Sequence, residues 1–165
     1  MAQDIDPGKP TRDFIEKEGY TGLVDDAREL LDEHGELIET PSDVAVEVEG
    51  ERAEVEIDEL PSEYQAFDIG VETIARYSKI LREGATVIVN GPPGVYEEEV
   101  FSRGTQAVLE AASEAGFSIA GGGDTSAAID TLGVKGFDHI SSGGGAALAL
   151  LSGQDLPGVE ALKQG

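Results

Sequence analysis

Three times in its second half the chain runs a short apolar segment into a glycine turn and then into a helical segment, and this rhythm restricts the possible folds more than any other feature. Thr86 to Val89 ends at Asn90-Gly91-Pro92, Phe117 to Ala120 at Gly121-Gly122-Gly123, and His139-Ile140-Ser141 at Gly143-Gly144-Gly145. Short apolar strands that alternate with helices imply an α/β fold whose parallel sheet is covered on both faces, with ligands bound beyond the carboxyl ends of the strands. All three turns are then expected along one edge.

The first half reads differently. Leu23, Val24, Ala27, Leu30 and Leu31 recur at helical spacing between Thr21 and His34, and Gly35 stands where a left-handed cap would end that helix. Leu37 to Thr40 is a candidate short strand. Val44, Val46 and Val48 alternate with polar residues, as do Ala53, Val55 and Ile57 beyond Gly50. The pair is expected to form a small β-hairpin with one solvated, glutamate-rich face, a surface ornament without catalytic duty.

Composition removes several classes of function. At 165 residues and 39% hydrophobic, the chain can bury one sizeable core. Thirty-four acidic residues against eleven basic ones give a net charge of -23, which repels nucleic acid and anionic membranes. Neither is expected as a partner. No apolar run approaches the roughly 18 residues of a membrane span, and Met1-Ala2-Gln3-Asp4 lacks the features of a signal peptide, so a cytoplasmic location is expected. Without cysteine, any metal must be held by oxygen or imidazole, which leaves hard cations such as Mg²⁺. The periodic apolar segments argue against disorder. Five lysines and abundant Ala, Val and Gly fit adaptation to concentrated salt, although an ordinary acidic cytosolic protein has the same broad composition.

The chemistry is expected at the glycine turns. Gly121-Gly122-Gly123-Asp124-Thr125 joins an apolar strand to a helix read over Asp124 to Leu132, where free N–H groups and the helix dipole favour an anion such as phosphate. Asp124 repels a bare phosphate but suits a Mg²⁺ bridging to one. From spacing alone, helix cap and metal ligand stay equally open for it. Asn90-Gly91-Pro92-Pro93-Gly94-Val95-Tyr96-Glu97 is a stiffened loop whose asparagine can donate to an oxygen, and the Gly143-Gly144-Gly145 turn reads first as tight helix-on-strand packing. Neither a Walker A lysine motif nor a full G-x-G-x-x-G occurs.

Taken together, Asn90 to Glu97 with Glu99, Phe101, Gly104 and Thr105, then Gly121 to Thr125, then His139 to Ala146, and finally Leu156 to Leu162 resemble the ordered signature segments of phosphoglycerate kinases. Weaker resemblance runs back through Asp68-Ile69-Gly70 to about Ile5. It implies a partial, Rossmann-like three-layer nucleotide-binding domain over residues 1–165, with a parallel sheet of about four strands plus the hairpin. The activity implied is reversible phosphoryl transfer between 1,3-bisphosphoglycerate and ADP, giving 3-phosphoglycerate and ATP, with Mg²⁺, in a family that is usually monomeric.

Carried over by position, Glu97 would bond the ribose, and Pro92, Gly94 and Val95 would line the nucleoside pocket. Asn90 and Gly121 would lie near the phosphates, while Gly122 and Gly123 would offer N–H groups to the moving phosphoryl group. Asp124 would hold Mg²⁺, and the Thr125 N–H would bind nucleotide phosphate. Gly143, Gly144 and Gly145 would face an interdomain cleft. Tyr96 stands where the family usually has phenylalanine, and Ser142 where it usually has threonine. The larger departure is at the front: the family's amino-terminal domain, with its basic pocket for 3-phosphoglycerate, and the opening strands of its nucleotide-binding domain have no counterpart here. The chain is therefore expected to be a fragment, or a frame begun at an internal methionine, and inactive alone. A non-catalytic nucleotide-binding remnant and an unrelated α/β enzyme for a sugar phosphate are the competing readings.

Overall fold

The computed structural model describes residues 1–141 and 143–163, so the departure noted at Ser142 lies outside the described residues. Two three-stranded sheets organise the chain. The first is antiparallel, in the order β2-β1-β3, from β1 (Asp43–Val48), β2 (Glu51–Glu56) and β3 (Ala66–Ile69). Its hairpin turns at Glu49-Gly50, both at positive φ (55° and 84°), the mirror-image turn whose twist matches the strands. Ile57, expected at the end of the second strand, belongs instead to a 3₁₀ turn over Ile57–Glu59.

Ahead of the sheet lie α1 (Lys9–Lys17) and α2 (Thr21–His34). Neither buries a residue fully, and Leu23 and Leu30 of the expected apolar stripe are more than half exposed. Gly35 is not the left-handed cap that its position suggested. It sits in the right-handed region (φ -56°) and continues into a 3₁₀ turn, Gly35–Leu37, whose carbonyl at Gly35 accepts from the Ile38 N–H at 3.3 Å. The tightened turn satisfies the helix end without a left-handed residue. Nor is Leu37 to Thr40 a strand. Both edges of β1 are taken by β2 and β3, and the carbonyls of Glu39 and Thr40 accept instead from the Tyr77 hydroxyl (3.0 Å) and the Arg76 guanidinium.

The second sheet is parallel, in the order β4-β5-β6, from β4 (Val87–Asn90), β5 (Ser118–Gly121) and β6 (His139–Ser141). It has three strands among the described residues where about four were expected, because β3, the extended segment ahead of β4, pairs with β1 instead. Strand alternation sends Val87, Val89 and Ala120 to one face, where they form the core with Leu109 and Ala112 of α4 (Arg103–Ser113) and Ala128 and Ile129 of α5 (Gly123–Leu132). Ile88 and Ile119 point the other way, toward Ala147 and Leu148 of α6 (Gly144–Leu151). Helices thus lie on both faces, as three layers require. The remaining helices are α3 (Val71–Arg82), between the two sheets in sequence, and α7 (Pro157–Lys163).

The register fixes the edge. Asn90 pairs with Gly121 and Gly121 with Ser141, so the turns after β4, β5 and β6 emerge side by side at the carboxyl ends, as the sequence rhythm implied.

Candidate functional site

At the centre of that edge is the start of α5. Gly122 is its N-cap, at φ 102° and ψ 151°, a conformation that side chains rarely tolerate. The first helical bond runs from the Ser126 N–H to the Gly122 carbonyl at 3.0 Å. The N–H groups of Gly123, Asp124 and Thr125 therefore have no intrahelical acceptor, and they form the positive end of the helix dipole. Gly122 differs. Its N–H donates to the Ser141 carbonyl at 2.9 Å, extending the ladder to β6, so that donor, expected to face a phosphoryl group, is already engaged within the fold.

The two openings left for Asp124 now separate. The cap position is filled by Gly122, Asp124 makes no capping bond, and its side chain is exposed in the first turn. Among the described residues no three acidic or imidazole groups converge as a ready-made metal cage. A single hard carboxylate beside an anion-accepting helix start suits Mg²⁺, which takes one or two carboxylates together with substrate phosphates and water. Near it stands Tyr96, packed on the core edge, whose hydroxyl is pushed above its ordinary pKa by desolvation and by the carboxylates of Glu97 and Asp124. The tyrosine thus brings a hydroxyl into the field of two expected site carboxylates.

Thr125 does a second job that spacing did not show. Its side chain is fully buried, and Oγ1 accepts from the Gly91 N–H at 2.7 Å, tying the first turn to α5. Asn90 is exposed at the end of β4, and its Oδ1 lies 3.0 Å from where a Cβ on Gly122 would stand and 3.7 Å from one on Gly121. The amide thus spans the neighbouring turn. On Gly144 a Cβ would meet the Gly122 nitrogen at 2.5 Å and Asn90 Oδ1 at 2.6 Å. Close packing is the demand at Gly144, while a Cβ on Gly145 would meet nothing within 4 Å.

The loop bearing Pro92, Gly94, Val95 and Glu97 runs from the same edge toward the first sheet. Pro92, Gly94 and Val95 are half-buried and Glu97 is exposed. The Val95 N–H donates to the Phe67 carbonyl at 2.9 Å, and the Gly94 N–H reaches Thr105 Oγ1 at 3.3 Å. Sequence reasoning missed the groups that hold this loop from below, Asp68 and Arg52. The signal was a lone carboxylate inside the short strand Ala66–Ile69, a placement that demands a partner.

An open helix start, an exposed carboxylate and a tethered loop stand together at the carboxyl edge of the parallel sheet of an α/β protein. A family model described as Phosphoglycerate kinase matches residues 1–154, and the chain belongs to that family. It is 47% identical over 163 residues to the phosphoglycerate kinase of Methanopyrus kandleri, spanning 98% of this chain and 40% of that protein. The corresponding protein of Halobacterium salinarum is 45% identical over 164 residues, spanning 98% of this chain and 41% of its own length. Among solved structures, phosphoglycerate kinase from Pyrococcus horikoshii OT3 superposes with a TM-score of 0.89 at 39% identity, covering 98% of this chain and 41% of that one. The enzyme from Coxiella burnetii gives 0.76 at 32% identity, covering 93% and 44%. The chain spans about 40% of the length of these curated relatives.

Proposed function

We propose that this chain supplies part of the nucleotide side of a phosphoglycerate kinase, which moves a phosphoryl group reversibly between 1,3-bisphosphoglycerate and ADP, and between ATP and 3-phosphoglycerate in return. The observation that carries the reading is the start of α5, where three N–H groups without intrahelical acceptors stand beside the exposed Asp124. Gly123, Asp124 and Thr125 would bind nucleotide phosphate through their N–H groups, Asn90 would lie near it, and Gly121 would allow its close approach. Pro92, Gly94 and Val95 would line the nucleoside pocket, with Glu97 on the ribose. Asp124 would hold Mg²⁺, whose contribution is to bridge and neutralise phosphate oxygens. Fixed donors and charge neutralisation are what phosphoryl transfer needs, since little covalent work falls to the protein.

The second phosphorylated substrate needs cations, and eight of the chain's eleven are engaged with acids. Arg12, Arg28, Arg52, Arg76, Arg82, Lys9, Lys17 and Lys163 sit in ion pairs with acids. The pocket for that substrate is proposed to lie in the part of the family's length that this chain does not span. No described helix is long and apolar enough to cross a membrane, and the proposed setting is the cytoplasm, as a monomer.

The test is binding of ADP with and without Mg²⁺. The chain should bind Mg²⁺-ADP, and Asp124→Asn should weaken that binding at least tenfold while leaving the melting temperature nearly unchanged, because Asp124 is not the helix cap. Equal affinity of the variant would refute the metal role. The alternative, a nucleotide-binding remnant without turnover, shares this binding but stays inactive when joined to a relative's amino-terminal portion.

A further inference from the structure

The expected surface ornament is coupled to the proposed nucleoside loop. Arg52, on the outer strand of the hairpin, has a side chain only 8% exposed, and its guanidinium donates to Asp68 Oδ2 at 2.7 Å and to the Ile69 carbonyl at 2.8 Å. It also reaches the Val100 carbonyl at 3.4 Å, on the segment that leads into α4. A solvated ornament would leave this cation in water. Here it is the counter-charge of a fully buried carboxylate.

Asp68 in turn touches the two ends of the loop segment. Oδ2 accepts from the Gly104 N–H at 2.7 Å, in the first turn of α4, and Oδ1 accepts from the Ile69 N–H at 2.9 Å. A Cβ on Gly94 would stand 2.2 Å from Oδ1, and one on Gly104 only 2.1 Å away. Both positions are glycine because the carboxylate lies directly against their backbone. Burial pushes the Asp68 carboxyl up, while Arg52 and the N–H groups of Gly104 and Ile69 pull it back. A charge this enclosed persists only where its partners hold it.

We infer that Asp68, held by Arg52, is a positioning residue: it seats Gly94 and the start of α4 at a fixed height, and so sets how tightly the loop Pro92–Glu97 grips a nucleoside. The inference rests on the nucleotide reading of that loop. Asp68 touches no substrate. It acts through the backbone of Gly94 and Gly104.

The experiment uses the full 165-residue chain, with ADP plus Mg²⁺ as the probe, and amide hydrogen exchange at Val95 and Gly104 as a second readout. Thr73, on α3, is the control amide. In Asp68→Asn, exchange at Val95 and Gly104 should accelerate at least tenfold with Thr73 unmoved, and the ADP dissociation constant should rise at least fivefold. Arg52→Lys keeps the charge but not the forked geometry, and should give smaller changes in the same two readouts; it serves if the Asn variant does not fold. Arg52→Gln alone leaves the carboxylate without its counter-charge, so adding Asp68→Asn to it should restore part of the loss. Faster exchange with unchanged ADP affinity in Asp68→Asn and Arg52→Lys alike reduces Asp68 to a structural tie and overturns the inference. Unmoved exchange overturns it too. A wild-type chain that fails to bind ADP sinks the nucleotide reading instead, and the affinity claim with it, which separates the two failures.

Discussion

Replacing Asp43 by asparagine should destabilise the fold by about 3 kcal/mol, combining a lost charge-assisted bond with a lost charge–dipole interaction. Asp43 is fully buried on β1 and fills the start of α3 from another element. Its Oδ1 accepts from the Thr73 N–H at 2.8 Å and the Thr73 hydroxyl at 2.6 Å, and Oδ2 accepts from the Glu72 N–H at 2.9 Å. Asparagine keeps one acceptor oxygen but turns the other into an NH₂ group facing a donor. One bond to a charged group goes, at about 1.5–3 kcal/mol. The charge at the helix start goes with it, at about 0.3–2 kcal/mol.

Urea melts followed by circular dichroism, in molar potassium chloride, measure the loss. With a slope of about 2 kcal/mol per molar urea, the midpoint should fall by about 1.5 M. The pH dependence supplies a second check. Burial works against the Asp43 carboxylate, but the Thr73 hydroxyl and the Glu72 and Thr73 amides together hold its pKa below the ordinary aspartate value. A depressed folded value means that this stabilisation is complete above the unfolded pKa and is lost as pH falls from there through the folded one. The asparagine variant should therefore lose less stability than the wild type across that acid range. Midpoints within about 0.2 M of each other, a difference of only about 0.4 kcal/mol at that slope, with equal acid slopes, would refute the capping argument.

The charge of -23 predicts that the chain holds more structure in molar potassium chloride than in dilute buffer, because screening relieves acidic self-repulsion; equal circular dichroism in both removes the reading of salt adaptation. Gly144→Ala should cost about 1–3 kcal/mol in a thermal melt, as overpacking does, since its Cβ would press on Gly122 and Asn90, and an unshifted melt would show that the third turn has room. The purified chain should show no phosphoglycerate kinase turnover by itself, and measurable steady-state activity would refute the claim that the second-substrate pocket lies in the remainder of the family's length.

The parallel half of the fold was legible because each strand there is short, apolar and closed by glycine, a pattern whose meaning is local. The hairpin was equally legible from its alternation. Its purpose was not, because the buried partner of Arg52 lies 16 residues away, and a lone carboxylate in a short strand signals that it needs a partner without naming which. Leu37 to Thr40 failed as a strand for a similar reason: extended propensity says nothing about whether a ladder edge is free, and β1 had none to offer. Gly35 misled because glycine permits a left-handed cap without requiring one.

The candidate site shows the same division most sharply at two helix starts. Both α3 and α5 follow a strand and a glycine. What separates them is a carboxylate supplied from 29 to 30 residues upstream, since Asp43 occupies the donors of α3 while nothing within the chain's own helix occupies those of Gly123, Asp124 and Thr125. An internal anion turns one helix start into a joint between β1 and α3. The other retains donors that a helix cannot satisfy within itself, and a carboxylate of its own in Asp124, which makes no capping bond and is the residue proposed to hold Mg²⁺. Local pattern located the start of α5 but not that of α3, and long-range pairing is what makes the two differ.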